Sequence, residues 1–174
     1  MLLDFFNTVA NLKSVPRQGW IDKLGIQNPE SVSDHTYSMT MMSWMFSEMQ
    51  NLDVLKVLKM SLIHDLAESK IGDFTPEQIS REQKNILEKN TMKEIFSELP
   101  VELQNQLSDI WTEFLEQKTA ESILVHEIDK LEMVLQAKIY EKNNGEKIDE
   151  FVESTKNEIK NPVLKELFTK VINQ

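Results

Sequence analysis

Cysteine is absent from this 174-residue chain. That absence excludes disulfides and thiolate metal sites, so any bound metal must be held by His and carboxylates. Glycine and proline are scarce, at 4 and 5 residues, and no Gly/Pro-rich stretch divides the sequence, which predicts one domain over residues 1–174 with a core of its own. Basic charge is also in deficit: 19 Lys and Arg stand against 29 Asp and Glu, for a net charge of -10. Such a surface repels phosphates at long range and disfavours nucleic acid or an anionic membrane as partner, although a small phosphorylated ligand remains compatible where cations are gathered locally. The opening Met1-Leu2-Leu3-Asp4-Phe5-Phe6 lacks a basic leader region. No apolar run approaches the ~20 residues that span a bilayer, and the expectation is a soluble, cytoplasmic protein.

Helical spacing recurs along the whole sequence, whereas period-two alternation is scarce, so the predicted fold is an all-α bundle. A short helix is expected over Asp4 to Lys13, then a long ordered loop from Ser14 to Val32 holding Pro16, Gly19, Gly25 and Pro29. Ser33 suits the N-cap of a second helix with His35, Met39, Met42, Phe46 and Met49 on one inward stripe. Leu55, Leu58, Leu62 and Leu66 mark a third helix that ends near Ser69, before a turn at Gly72, with His64, Asp65 and Glu68 in its last turns. Pro76 to Leu99 and Pro100 to Gln117 read as a charged helical hairpin whose ionic residues form a solvated face. Thr119 then caps a helix to about Asn143, with Glu121 in its first turn and an apolar middle that makes it the central buried helix. Asn143-Asn144-Gly145 stops it, and weaker amphipathic segments from Lys147 to Lys156 and Pro162 to Ile172 close the chain.

The chemistry concentrates in a few residues. His35 on an apolar stripe, the His64-Asp65 pair, and Asp129 inside an apolar helix are each ordinary alone. Asp129 is the hardest to dismiss, because burying an unpaired carboxylate costs several kcal/mol and demands a partner. Two imidazoles and two carboxylates form a donor set for a first-row divalent metal, and a metal-dependent hydrolase is the leading reading. Glu68, near the other two in the same predicted helix, reads as a general acid/base or as a ligand through water to a second ion, against a solvated Glu near a helix end. Asp73 after Gly72 either joins the site or caps the segment at Thr75-Pro76. In the loop, Arg17 offers a planar fork for phosphate oxygens, and Trp20 either meets a sugar or phosphate or anchors the loop to the core. His126, one turn before Asp129, reads mainly as a packing residue.

At these positions the chain resembles the HD-domain superfamily of metal-dependent phosphohydrolases, and more narrowly its small 5'-deoxynucleotidase branch. The resemblance runs through Leu12 to Trp20, with Arg17-Gln18-Gly19-Trp20, then Glu30 to His35, His64-Asp65-Leu66-Ala67-Glu68-Ser69-Lys70-Ile71-Gly72-Asp73, and Ile128 to Met133. It implies a helical, usually dimeric enzyme, here a homodimer, that removes the 5'-phosphate from deoxyribonucleoside monophosphates. By that resemblance His35, His64, Asp65 and Asp129 bind a divalent cation (Mn, Co, Mg, Zn or Fe), and Glu68 assists the hydrolytic water. Arg17 and Trp20 orient the phosphate, and Asp73 contacts the sugar or, with Glu68, a second ion. Position 126, often Lys in similar sequences, is His. The alternatives are another HD-type activity, a nucleotide pyrophosphohydrolase or phosphodiesterase, or a regulatory protein that binds metal and nucleotide without turnover. Intact Glu68, Asp73 and Arg17 argue against the last.

Overall fold

The computed structural model describes residues 2–145 and 147–174. Among them there are ten α-helices and no strand, in keeping with the all-α expectation: α1 (Leu2–Asn11), α2 (Gln18–Leu24), α3 (Val32–Met49), α4 (Val54–Ile63), α5 (Glu68–Ile71), α6 (Arg81–Phe96), α7 (Val101–Glu116), α8 (Ala120–Asn144), α9 (Asp149–Lys156) and α10 (Pro162–Ile172). A 3-10 turn over Leu12–Ser14 follows α1. No described helix is long and apolar enough to cross a membrane.

The central helix is α8. Thr119 and Ser122 form a capping box at its start, and Gly145 ends it at φ 73°, a left-handed conformation that a Cβ would strain. Leu124, Val125, Ile128, Leu131 and Val134 are buried along it, and Met39 of α3, Met60 of α4, Phe114 of α7 and Leu164 of α10 pack around them. A second cluster joins Ile63, Leu66, Met92, Ile95 and Trp111 beneath the α6–α7 hairpin. A third joins Trp20, Leu24 and Ile26 to Ala137, Ile148 and Phe151, fastening the loop after α1 onto the end of α8.

Four boundaries differ from expectation, each for a local reason. The segment 14–32 contains a helix, α2, and its two ends are tied by hydrogen bonds from Arg17 N to Glu30 O (3.0 Å) and from Val32 N to Val15 O (2.9 Å). Ser31, rather than Ser33, caps α3, because Asp34 at N3 returns the bond to the Ser31 N–H and completes a capping box. Helix α6 starts at Arg81 under a Ser80–Gln83 capping box, leaving Pro76 in the preceding turn. The third helix breaks at Ile63, so His64 is its C-cap, Asp65 lies in a turn, and Glu68 opens the separate helix α5.

The stripe on α3 requires correction at Met49, and burial shows which face of α4 points inward. Leu55 and Leu62 are 62% and 55% exposed, and the buried face of α4 carries Val57, Met60, Ser61 and Ile63. Of the four Leu at helical spacing, Leu55 and Leu62 face outward, Leu58 is half-buried, and Leu66, beyond the end of the helix, is buried. Met49 is exposed at the end of α3, beyond the inward Met39. These assignments separate two substitutions on one helix. Met60→Ala should cost about 2–5 kcal/mol in urea unfolding, as truncation of a fully buried side chain does, and Leu62→Ala should stay within about 0.5 kcal/mol of the parent. Equal losses would contradict the orientation of α4.

Candidate active site

Three long helices bring the predicted cluster together. His35 comes from the start of α3, His64 and Asp65 from the turn that follows α4, and Asp129 from the middle of α8. His35 Nε2 lies 3.1 Å from Asp129 Oδ1 and 3.9 Å from Asp65 Oδ2, and His64 Nε2 lies 3.0 Å from the same Asp65 oxygen. Donor atoms of His35, His64 and Asp129 all fall within 4.8 Å of one another.

The far nitrogen of each ring decides what this cluster can hold. His35 Nδ1 donates to Glu132 Oε2 at 2.5 Å, and His64 Nδ1 donates to the Ser61 carbonyl at 2.8 Å. A carbonyl, and an ionised carboxylate, can only accept, so each Nδ1 carries the proton and a neutral ring presents a lone pair at Nε2. Both Nε2 atoms are buried and make no aligned hydrogen bond, although carboxylate oxygens stand about 3 Å away. Lone pairs facing anions at that distance repel unless a cation lies among them. Two imidazole nitrogens and two carboxylates fit a divalent metal ion in that role.

A proton is the competing cation. Burial and the Arg17 charge oppose a charged His35, but the Asp129 and Glu132 carboxylates outweigh them and carry its pKa to about 9. Asp129 sits well below the usual carboxylate range: burial pushes it up, and Lys130, 3.0 Å from its Oδ2, together with His35, pulls it down further. Asp65 is also lowered, because His64 and Arg17 overcome its burial.

Beside the cluster opens a cavity of about 360 Å³ whose walls include Arg17, Trp20, Glu68, Asp73, Lys84 and Asp129. Arg17 Nη1 is 3.4 Å from Asp65 Oδ2 and 3.9 Å from Asp73 Oδ2, and these carboxylates reinforce its charge against burial. Asp73 Oδ2 accepts from Gln18 N at 2.9 Å, at the start of α2 rather than at Thr75. Thr75 N is served instead by Gln78 Oε1. Glu68 is 1% exposed, and burial first, then the Asp65 and Asp73 charges, pushes its carboxyl well above the usual range. Each of the two carboxylates considered for a second ion has a side-chain cation beside it: Lys84 on Glu68 and Arg17 on Asp73.

Trp20 is 2% exposed and anchors the loop. Its Nε1 donates to Glu30 Oε1 at 2.9 Å, its ring packs 4.6 Å from Phe151 and 5.4 Å from Tyr140, and Tyr140 Oη accepts from Glu30 N. His126 packs as expected, stacked on Phe114 at 4.0 Å with Nε2 donating to the Phe114 carbonyl. Four residues at the site were not among those read from sequence: Glu132, Glu30, Lys84 and Lys130. Glu132 carried a usable signal, since it lies three residues after Asp129 on the same apolar helix and therefore on its inward side. Because Trp20 is an anchor, Trp20→Ala should cost about 3–5 kcal/mol in chemical unfolding. Trp20→Phe should recover part of that loss and leave Glu30 without its indole donor. A Trp20→Ala protein as stable as the parent would show that the ring serves the cavity alone.

The HD domain family model matches residues 9–171. The 5'-deoxynucleotidase HDDC2 of Dictyostelium discoideum is 40% identical over 178 residues, covering 95% of this chain and 93% of that protein. The protein of the same name from Homo sapiens is 35% identical over 173 residues, covering 98% and 84%. Among solved structures, a protein from Pyrococcus horikoshii OT3 superposes with a TM-score of 0.82 at 30% identity, over 97% of both chains. Since the match spans every site residue from Arg17 to Glu132, the chain belongs to the HD domain family.

Proposed function

We propose that this protein is a divalent-metal-dependent 5'-deoxynucleotidase, releasing phosphate from deoxyribonucleoside 5'-monophosphates. The observation that carries the reading is the pair of buried, unpartnered imidazole nitrogens facing Asp65 and Asp129, two carboxylates that line one cavity with Arg17 and Glu68. His35, His64, Asp65 and Asp129 would hold the ion, and the chemistry supplied there would be Lewis acidity toward a phosphate oxygen and a bound water.

The side chains supply the rest. Arg17 is held by Asp65 and Asp73 with its guanidinium on the cavity wall, where it offsets charge on the transferring phosphoryl group. The water oxygen forms a bond to phosphorus as the bond to the 5'-oxygen breaks. Glu68, on the cavity wall, takes the proton from the water and returns one to the departing 5'-oxygen; burial and the nearby Asp65 and Asp73 charges raise its pKa above the usual carboxylate range. Asp73 accepts a hydrogen bond from the 3'-hydroxyl and, with the Trp20 loop behind it, leaves little room for a 2'-hydroxyl. The same reading carries a homodimer in the cytoplasm, and the exposed Tyr37, Met41, Trp44 and Met45 on α3 are the apolar surface that supports self-association.

Phosphate release from matched deoxy and ribo 5'-monophosphates and from 3'-monophosphates, across Mn, Co, Mg, Zn and Fe, tests the substrate assignment. Higher kcat/KM for deoxyribonucleoside 5'-monophosphates is expected. Equal values for both sugars would point to a broader phosphatase, and no release from any monophosphate would favour a pyrophosphohydrolase or phosphodiesterase. The proton role has its own check. Glu68→Gln should keep metal affinity and lose roughly 10²–10⁴-fold in turnover, and near-normal turnover at saturating metal would remove Glu68 from the reaction.

A further inference from the structure

We propose that Lys84 is a positioning residue for Glu68: it engages one carboxyl oxygen and leaves the other free to handle the proton. This rests on the reading of the site given above. Lys84 Nζ donates to Glu68 Oε1 at 3.1 Å, and among the described residues no other hydrogen bond is donated to that carboxyl. The second oxygen, Oε2, is buried without a partner, and Glu68 is among the residues that line the cavity. The two oxygens of one carboxyl are thereby given different environments. Rotation about the last bond of Glu68 would exchange them, and the contact with Lys84 opposes that exchange.

The alternative is an ordinary solvated helix pair, because Lys84 Nζ also lies 3.6 Å from Glu88 Oε1 one turn along α6. Burial argues against it. The Lys84 side chain is 27% exposed, whereas that of Glu68 is 1% exposed, so the cation reaches inward to a buried carboxyl. An unpaired carboxyl at that depth is costly, which makes the contact more than a surface ion pair. The backbone is arranged for the reach: the Ser80–Gln83 capping box fixes the first turn of α6, and Lys84 N donates to Ser80 O at 2.9 Å. Lys84 also lines both the 360 Å³ cavity and a second cleft of about 880 Å³, which share Asp65 and Asp129. A direct contact with substrate phosphate is therefore the rival role, and it differs in its kinetic signature.

Lys84→Met, Glu68→Gln and the double variant, in the full-length metal-loaded protein, form the test. Positioning predicts that Lys84→Met lowers kcat about 10-fold or more, a part of the ~10²–10⁴-fold that an acid/base group supplies. KM and Mn²⁺ affinity by calorimetry should each stay within about 3-fold, and in the Glu68→Gln background the same change should add less than about 2-fold. A kcat within about 2-fold of the parent, a rise in KM at constant kcat, or an undiminished loss in the Glu68→Gln background would each overturn the proposal. Thermal unfolding of the same four proteins reads the pairing without activity. Lys84→Met should lower Tm more in the parent than beside Glu68→Gln, and equal losses overturn the pairing even if the parent releases no phosphate. That last result would sink the functional reading instead. Lys84→Gln, measured in the same cycle, serves if the Met variant does not fold.

Discussion

Two nitrogens deep in the bundle, His35 Nε2 and His64 Nε2, face carboxylate oxygens about 3 Å away with no aligned hydrogen bond between them. Each points there because its other nitrogen is committed, one to Glu132 and one to the Ser61 carbonyl. Much of the architecture follows from keeping these groups together. Helix α4 must end at Ile63 so that His64 and Asp65 can turn toward the centre, and α8 must carry a carboxylate through its buried middle. A protein without function for these groups would gain by replacing them with apolar side chains, since a buried charge without a counterion costs several kcal/mol. A metal ion converts the same arrangement into a stable one.

Around that centre the cations of an acidic chain are placed with economy. Arg17, Lys84 and Lys130 each sit within 4 Å of a site carboxylate, although the whole chain carries a net charge of -10. They come from different elements, the loop before α2, the start of α6 and the middle of α8. Three cations are thereby gathered beside the site carboxylates, where a small anion can meet them, while the net charge of the chain repels large polyanions. The loop that delivers Arg17 is fixed by Trp20, whose indole reaches Glu30 while Tyr140 Oη accepts from the Glu30 N–H. Substrate handling and core packing thus share residues.

The helical fold and the four proposed ligands were legible because their signals are strong and local. Thr119 and Gly145 bound α8 in both readings, and an Asp within Ile128-Asp129-Lys130-Leu131 conflicts with burial unless something pairs with it. What failed depended on tertiary packing. The Leu spacing marks the third helix but not its buried face, which carries Val57, Met60 and Ser61 and leads to His64. The helix break after Ile63 has no Gly or Pro to announce it. Lys84 was read as part of a solvated face, since nothing in α6 shows that a carboxyl from another helix lies beneath it. Glu30 lies in a loop, where no periodicity marks an inward residue.

The central claim is that four side chains from three helices share one divalent ion. Anomalous diffraction from crystals grown with Mn²⁺, recorded at the manganese edge, tests it most directly. A strong peak bounded by His35 Nε2, His64 Nε2 and the carboxylates of Asp65 and Asp129 is expected. A manganese peak elsewhere in the molecule, with these four side chains closed on one another through hydrogen bonds, would contradict it.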